Sequence, residues 1–164
     1  MGLAVTGSGV NRSLPLSMEE KPFPVVSTEA NEGSATLSPD GQWLAYASDV
    51  SGRNEIYVQR FPGGGSKRQV STIGGDSPRW RQDGRELFFY AADGKLMSAP
   101  VRNGESLETG AAVSLFEFRA GTVPGFPPYA PTADGQWFLI NAVVESEPNA
   151  PLTVVVNWTT EVKK

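Results

Sequence analysis

The chain writes nearly the same six letters three times: SPDGQW at 38–43, RQDGRE at 81–86 and TADGQW at 132–137. In the first copy Pro39 presets φ for the first corner of a type I turn, and the Asp40 side chain can bond its neighbouring backbone. Gly41 then takes the left-handed conformation that lets a hairpin close with a bulge. Gln82 and Ala133 stand where the first copy has its proline. A hydrophobic run follows each turn: QWLAYASD, RELFFYAAD and QWFLINAVV. In the first run Trp43, Ala45 and Ala47 alternate with Leu44, Tyr46 and Ser48, so both faces carry apolar side chains. That is the pattern of a strand covered on two sides.

Asp40, Asp83 and Asp134 set the period at 43 and then 51 residues. The first spacing falls within the roughly 40–45 residues of a four-stranded propeller blade, and the Gly/Pro-rich stretch GTVPGFPPYAP (121–131) absorbs the excess in the second. The first unit reads as strands SATLS, QWLAYAS, NEIYVQRF (54–61) and KRQVST (67–72). The second reads as SPRWR, ELFFYAA, KLMSAPV and VSLFEF. The third has PYAPT, QWFLINAVV and PLTVVVNW (151–158) but no fourth strand. A spare strand sits near the other terminus, KPFPVVST (21–28), preceded by the half-strand SLPL; Pro22 and Pro24 suit an edge position with few donors to offer. No segment carries a helical period. The expected fold is therefore all-β, a β-propeller of four-stranded antiparallel blades with about three blades per chain, half of a six-bladed ring. Residues 1–12 read as a flexible lead-in and 13–164 as one propeller-type domain. Its units are about 29–72, 73–120 and 121–160, and 21–28 is an outer strand exchanged between two chains.

The stretch LSPDGQWLAYASDVSGRNEIYVQRFPGG (37–64) resembles the WD-like repeat of TolB-type β-propellers, with its S-P-D-G turn and G-x-x-E-I-Y-V third strand. The ending LINAVVESEPNAPLTVVVNW (139–158) is similar to the last blade of bacterial propeller regions fused behind kinase or transcription-regulator domains. The resemblance covers roughly residues 13–160. It implies a six- or seven-bladed ring used mainly as a protein-interaction platform, in an extracytoplasmic (periplasmic) or kinase-linked setting. It implies no shared catalytic set.

Composition narrows the chemistry. No apolar run approaches the roughly 18 residues of a spanning helix, so no membrane span is expected. A net charge of −4 and a pI near 4.9 argue against a nucleic-acid surface. The arginines of PRWRQDGRELFFY (78–90) read as solvated residues flanking a buried strand. The chain has no cysteine and no histidine, which removes disulfides, thiolate nucleophiles and Ser-His-Asp catalysis. The first dozen residues lack the basic start and apolar stretch of a secretory signal.

GGGSK (63–67) lacks the glycine spacing and following helix of a phosphate-cradling loop and reads as a hairpin loop. DVSGRNE (49–55) offers oxygen ligands without the spacing of a calcium loop. No metal or cofactor is expected. Trp43, Trp80, Trp137 and Trp158 read as packing between blades rather than as sugar platforms.

Propellers gather function at the end where interblade loops meet the loops between second and third strands. By repeat position that rim holds Glu29, Asn31, Glu32, Arg53, Asn54, Glu55, Asp76 and Tyr129. Glu32, Arg53, Asn54, Glu55, Asp76 and Tyr129 are the expected ligand-binding residues. The first functional reading is a non-catalytic module presenting this rim to a protein or peptide. The alternative is a hydrolase or lyase on a glycan or ester, with Glu32 and Asp76 as paired carboxylates. A homodimer completing a six-bladed ring is the expected assembly.

Overall fold

A computed structural model describes residues 2–6, 10–14, 23–63, 65, 67–102, 104, 106–121 and 126–144. Every strand pairing is antiparallel, and the described residues hold no helix. The strands form four successive sheets. The first contains β1 (Gly2–Thr6), β2 (Val10–Leu14) and β3 (Phe23–Ser27) in that order. The second contains β4 (Glu32–Leu37), β5 (Trp43–Ser48), β6 (Glu55–Arg60) and β7 (Arg68–Gln69), also in chain order. The third joins β8 (Asp76–Trp80), β9 (Glu86–Tyr90) and β10 (Lys95–Arg102), whose outer side pairs with both β11 (Glu108–Thr109) and β12 (Val113–Glu117). The fourth is the pair β13 (Tyr129–Pro131) and β14 (Phe138–Ile140). No described sheet closes on itself.

The three Asp-Gly turns are hairpins of one design. Gly41, Gly84 and Gly135 stand at φ 70°, 71° and 70°, a conformation that opposes any Cβ. Each glycine N–H donates three residues back, to Ser38, Arg81 and Thr132 carbonyls at 2.8, 2.9 and 2.9 Å. The turn aspartates accept the backbone N–H of Gln42, Arg85 and Gln136. Ser38 and Thr132 also donate their hydroxyls to the same carboxylates, a role Arg81 takes over with a two-pronged ion pair to Asp83.

The two-faced run of β5 is observed. Trp43, Ala45 and Ala47 enter a core with Ile56, Val58, Trp80, Phe89, Met97 and Ala99, between the second and third sheets. Leu44 and Tyr46 face the other way, into a core with Val26, Tyr57 and Phe61, between the first and second sheets. A third core joins Phe88, Leu96, Phe118 and Tyr129 between the third and fourth sheets, with Phe138 edge-on to Phe88 at 5.0 Å. All three hydrophobic cores lie between sheets. Full burial of side chains such as Leu44, Ile56, Leu87 and Leu96 stabilises by about 1.5–3 kcal/mol each.

Two N-terminal segments carry strands within this chain. Residues 1–12, read as a flexible lead-in, contribute β1 and β2, paired in register Gly2↔Leu14 through Thr6↔Val10. The segment 21–28, read as a strand exchanged to another chain, holds β3, which pairs with β2 of its own chain. Val26 there is buried against Leu44, Tyr46 and Tyr57, while β1 and β2 touch β4. The physical reason is that the Leu44–Tyr46 face of β5 needs an apolar cover, and Val25 and Val26 are adjacent in the chain. The strand PLTVVVNW (151–158) and Trp158 lie outside the described residues.

Candidate functional site

Most of the residues expected at the rim lie where β4, β6 and β8 begin. Three connections meet there: 28–31 before β4, 49–54 between β5 and β6, and 70–75 before β8. They are tied by backbone and side-chain bonds. Asn31 donates its N–H and its Nδ2 to the Asp49 carboxylate at 2.8 and 2.7 Å, and these bonds hold that carboxyl below the usual range. Gly75 N–H donates to the Asn54 carbonyl at 2.9 Å.

Glu55 is the knot of this rim rather than a group open to ligand. Only 1% of its side chain is exposed. Its Oε1 accepts Arg53 Nε at 2.7 Å, its Oε2 accepts the Ser71 hydroxyl, and Gly74 N–H reaches both oxygens at 3.1 Å. Ser71 Oγ in turn accepts the Ile56 N–H at 2.7 Å. Arg53 Nη2 donates to the Thr72 carbonyl. A buried carboxylate given this many charge-assisted and backbone donors fixes the loop 70–75 onto β6.

Asp76 opens β8 and gathers donors from three places. Its Oδ1 accepts the Ser34 hydroxyl at 2.7 Å and both the N–H and hydroxyl of Ser77, while Oδ2 accepts Asn54 Nδ2 at 3.3 Å. Ser34 and Ser77 stand at φ 50° and 53°, the two non-glycine residues with positive φ among those described. They occupy the same place in their repeats. The β4–β5 register jumps between Gly33 and Thr36, and the β8–β9 register between Asp76 and Arg79. Each inner strand thus carries a bulge whose left-handed serine meets the next sheet: Ser34 through its hydroxyl to Asp76, and Ser77 through its carbonyl to the Tyr129 hydroxyl at 2.8 Å. Such positions cost about 1–3 kcal/mol and persist only where the surroundings hold them. Nothing in the letters GSAT or DSPR announces them, because serine is not a usual left-handed residue.

Two expected rim residues are placed elsewhere. Tyr129 is 2% exposed, and its hydroxyl is committed to Ser77; burial keeps its phenol well above the usual range. Glu32 is 7% exposed on the face turned towards the first sheet. Its Oε1 accepts the Thr28 hydroxyl at 2.5 Å, and Oε2 has no partner among the described residues. Burial, then the Glu32 charge, pushes the Tyr46 phenol up to about 12.

Arg53, Asn54 and Asp76 do come together. With Gly74 and Gly75 they form one wall of an open groove of about 210 Å³, whose other wall is Tyr90, Ala91 and Ala92 from the β9–β10 hairpin. Glu32 does not line this groove, so it does not pair there with Asp76. The groove depends on its glycines: a Cβ on Gly74, at φ 92°, would lie 2.7 Å from Ala92 Cβ. The second wall was missed in the sequence. The signal for it is the period itself, since Ala92 lies one 43-residue repeat after Asp49.

The stacking of these sheets has a counterpart among solved structures. TolB from Acinetobacter baumannii superposes with a TM-score of 0.54 at 17% sequence identity, over 83% of this chain and 33% of TolB. At that identity the likeness shows the fold, a TolB-like β-propeller arrangement of sheets. The chain spans about a third of TolB's length. No family profile matches the sequence, and no curated protein matches it. No described helix is long and apolar enough to cross a membrane, and no cluster of metal-ligating side chains occurs among the described residues.

Large apolar side chains in and beside β12 and β14 are exposed. Trp137 and Leu139 are 75% and 78% exposed, and Val113, Leu115, Ile140 and Val143 are also exposed. Trp137, expected to pack between blades as Trp43 and Trp80 do, points to solvent.

Proposed function

We propose that this chain is a non-catalytic interaction module whose loop rim receives a protein or peptide. The observation that carries the reading is the groove between Arg53–Asn54–Asp76 and Tyr90–Ala92. It is open, it mixes apolar walls with a few convergent polar groups, and its single carboxylate, Asp76, has one oxygen fixed by Ser34 and Ser77. That is the make-up of a recognition surface. An acid–base pair would instead need two carboxylates directed at one substrate, and Glu32 sits on a different face from the groove.

We infer further that the exposed face of the fourth sheet is covered by a second copy of the chain. The second and third sheets are each covered on both faces, whereas Trp137 and Leu139 leave the fourth uncovered on one. An apolar face of this kind, beside an edge of β14 that no described strand pairs, favours association. A sedimentation run at micromolar concentration tests it. A dimer that Leu139→Glu converts to monomer is the expected result, and a well-folded monomer of the unmodified chain rejects it.

The rim reading is tested by selecting displayed peptides on the immobilised chain and mapping each by backbone amide shifts. Binders should shift Asn31, Asn54, Gly75 and Ala91 and lose affinity at least tenfold against Asn54→Ala. Peptides that map only to the opposite end of the sheets would defeat the reading.

A further inference from the structure

Resting on the rim reading above, the groove also specifies what kind of group it holds. Arg53 presents its guanidinium in a fixed plane, because Nε is held by Glu55 and Nη2 by the Thr72 carbonyl. Nη1 has no partner among the described residues, and the side chain is 59% exposed. On the same wall, Asp76 Oδ1 is saturated by Ser34 and Ser77, whereas Oδ2 accepts only the long 3.3 Å bond from Asn54. The groove therefore offers both donors and acceptors, Arg53 Nη1 and Asp76 Oδ2 on rigid supports with the Asn54 amide beside them, next to the apolar wall of Ala91 and Ala92.

A ligand that covers the groove removes water from both groups. A cation would satisfy Asp76 Oδ2 and leave the Arg53 donor unpaired. An anion would do the reverse. An unpaired buried donor or acceptor forfeits the water it gave up, at a greater cost when charged. A group that accepts at one end and donates at the other leaves neither exposed. We propose that the groove binds a neutral amide, the main-chain peptide group of an extended segment, with its carbonyl on Arg53 Nη1 and its N–H on Asp76 Oδ2. The site reads backbone, and sequence preference comes from what the neighbouring residues place on Tyr90, Ala91 and Ala92.

The test uses the full chain, labelled with nitrogen-15, and small probes at millimolar concentration: N-acetylglycinamide, sodium acetate and methylammonium chloride. N-acetylglycinamide should shift the backbone amides of Asn54, Gly75, Asp76 and Ala91 saturably, and the two ions should shift them at least fivefold less at equal concentration. Asp76→Asn should weaken the amide response. Ala92→Trp, a change at an exposed position that fills the groove without touching either polar group, should abolish it while leaving the remaining spectrum in place. A stronger response to acetate or to methylammonium overturns the amide assignment and identifies an ion site, leaving the rim reading intact. No response to any probe, with peptides still selected on the rim, overturns the assignment as well. No response together with no rim peptides removes both.

Discussion

The Tyr129 hydroxyl donates to the Ser77 carbonyl at 2.8 Å, joining the first residue of β13 to the left-handed bulge of β8. The bond lies in a buried seam and ties the fourth sheet to the third near the inner strands. Tyr129→Phe keeps the ring in its core with Phe88 and Phe118 but leaves the Ser77 carbonyl without its donor. We expect a loss of about 1–2 kcal/mol, read as a lower urea midpoint with an unchanged slope. An unchanged midpoint would mean that the seam is open to water.

The three turn glycines have the same φ but different surroundings, so valine should separate them. Positive φ alone should cost roughly 1–3 kcal/mol for a β-branched residue. At Gly41 a Cβ meets nothing within 4 Å, whereas at Gly135 it would lie 2.8 Å from Arg81 Cδ and 3.0 Å from Phe88 Cζ. Gly135→Val should therefore lower the melting temperature more than Gly41→Val. Equal losses would show that only the backbone conformation matters.

Ser71 serves two buried partners through one oxygen. It donates to Glu55 Oε2 and accepts from the Ile56 N–H. Ser71→Ala leaves a carboxylate oxygen and a strand N–H underpartnered at once, with an expected loss of about 2–3 kcal/mol. Hydrogen exchange should report it locally, as faster exchange at Ile56 and Gly74 before the rest of β6. Uniform acceleration across the sheet would point instead to a global loss of packing.

Asp83 gives the fold a graded acid sensitivity. Its carboxyl is held down to about 2 from an ordinary 3.8, first by the Arg81 side chain and then by the Arg85 N–H. A depressed carboxyl contributes stability that is present above about pH 4 and is lost as pH falls through about 2. The group is exposed, so solvent screening keeps the contribution small. Denaturation midpoints measured from pH 5 to pH 2 should fall less steeply in Asp83→Asn than in the unmodified chain. Parallel curves would show that the ion pair with Arg81 does not matter to folding.

The repeat made the sheets legible. Recurring Asp-Gly turns place β5, β9 and β14, and the apolar alternation of Trp43 to Ser48 told correctly that β5 is covered on both sides. Strand ends were read to within a few residues, although β7 is only Arg68–Gln69 and β11 was not foreseen. The N-terminal sheet was not legible, because GLAVT and VNRSL are short and carry no turn signal of the repeated kind. In the candidate site, three residues singled out by repeat position, Arg53, Asn54 and Asp76, line one groove. Repeat position did not distinguish a residue facing solvent from one facing a neighbouring sheet. Tyr129 and Glu32 share the rim level with Asp76, yet their side chains enter the seams. That choice depends on the bulges at Ser34 and Ser77, which come from contacts across sheets and leave no trace in local sequence.

Since each core among the described residues lies between two sheets, no repeat there owns the interior that stabilises it. Each is folded only to the extent that its neighbours are, so the molecule behaves as a one-dimensional array coupled through nearest neighbours. A lesion at Leu44 is felt by the first and second sheets and reaches the fourth only through the intervening pair. Heat should release such a chain from its ends inward, with β5 and β9 the last to exchange. The same property makes the architecture extensible: an added repeat needs to match only the two faces it touches.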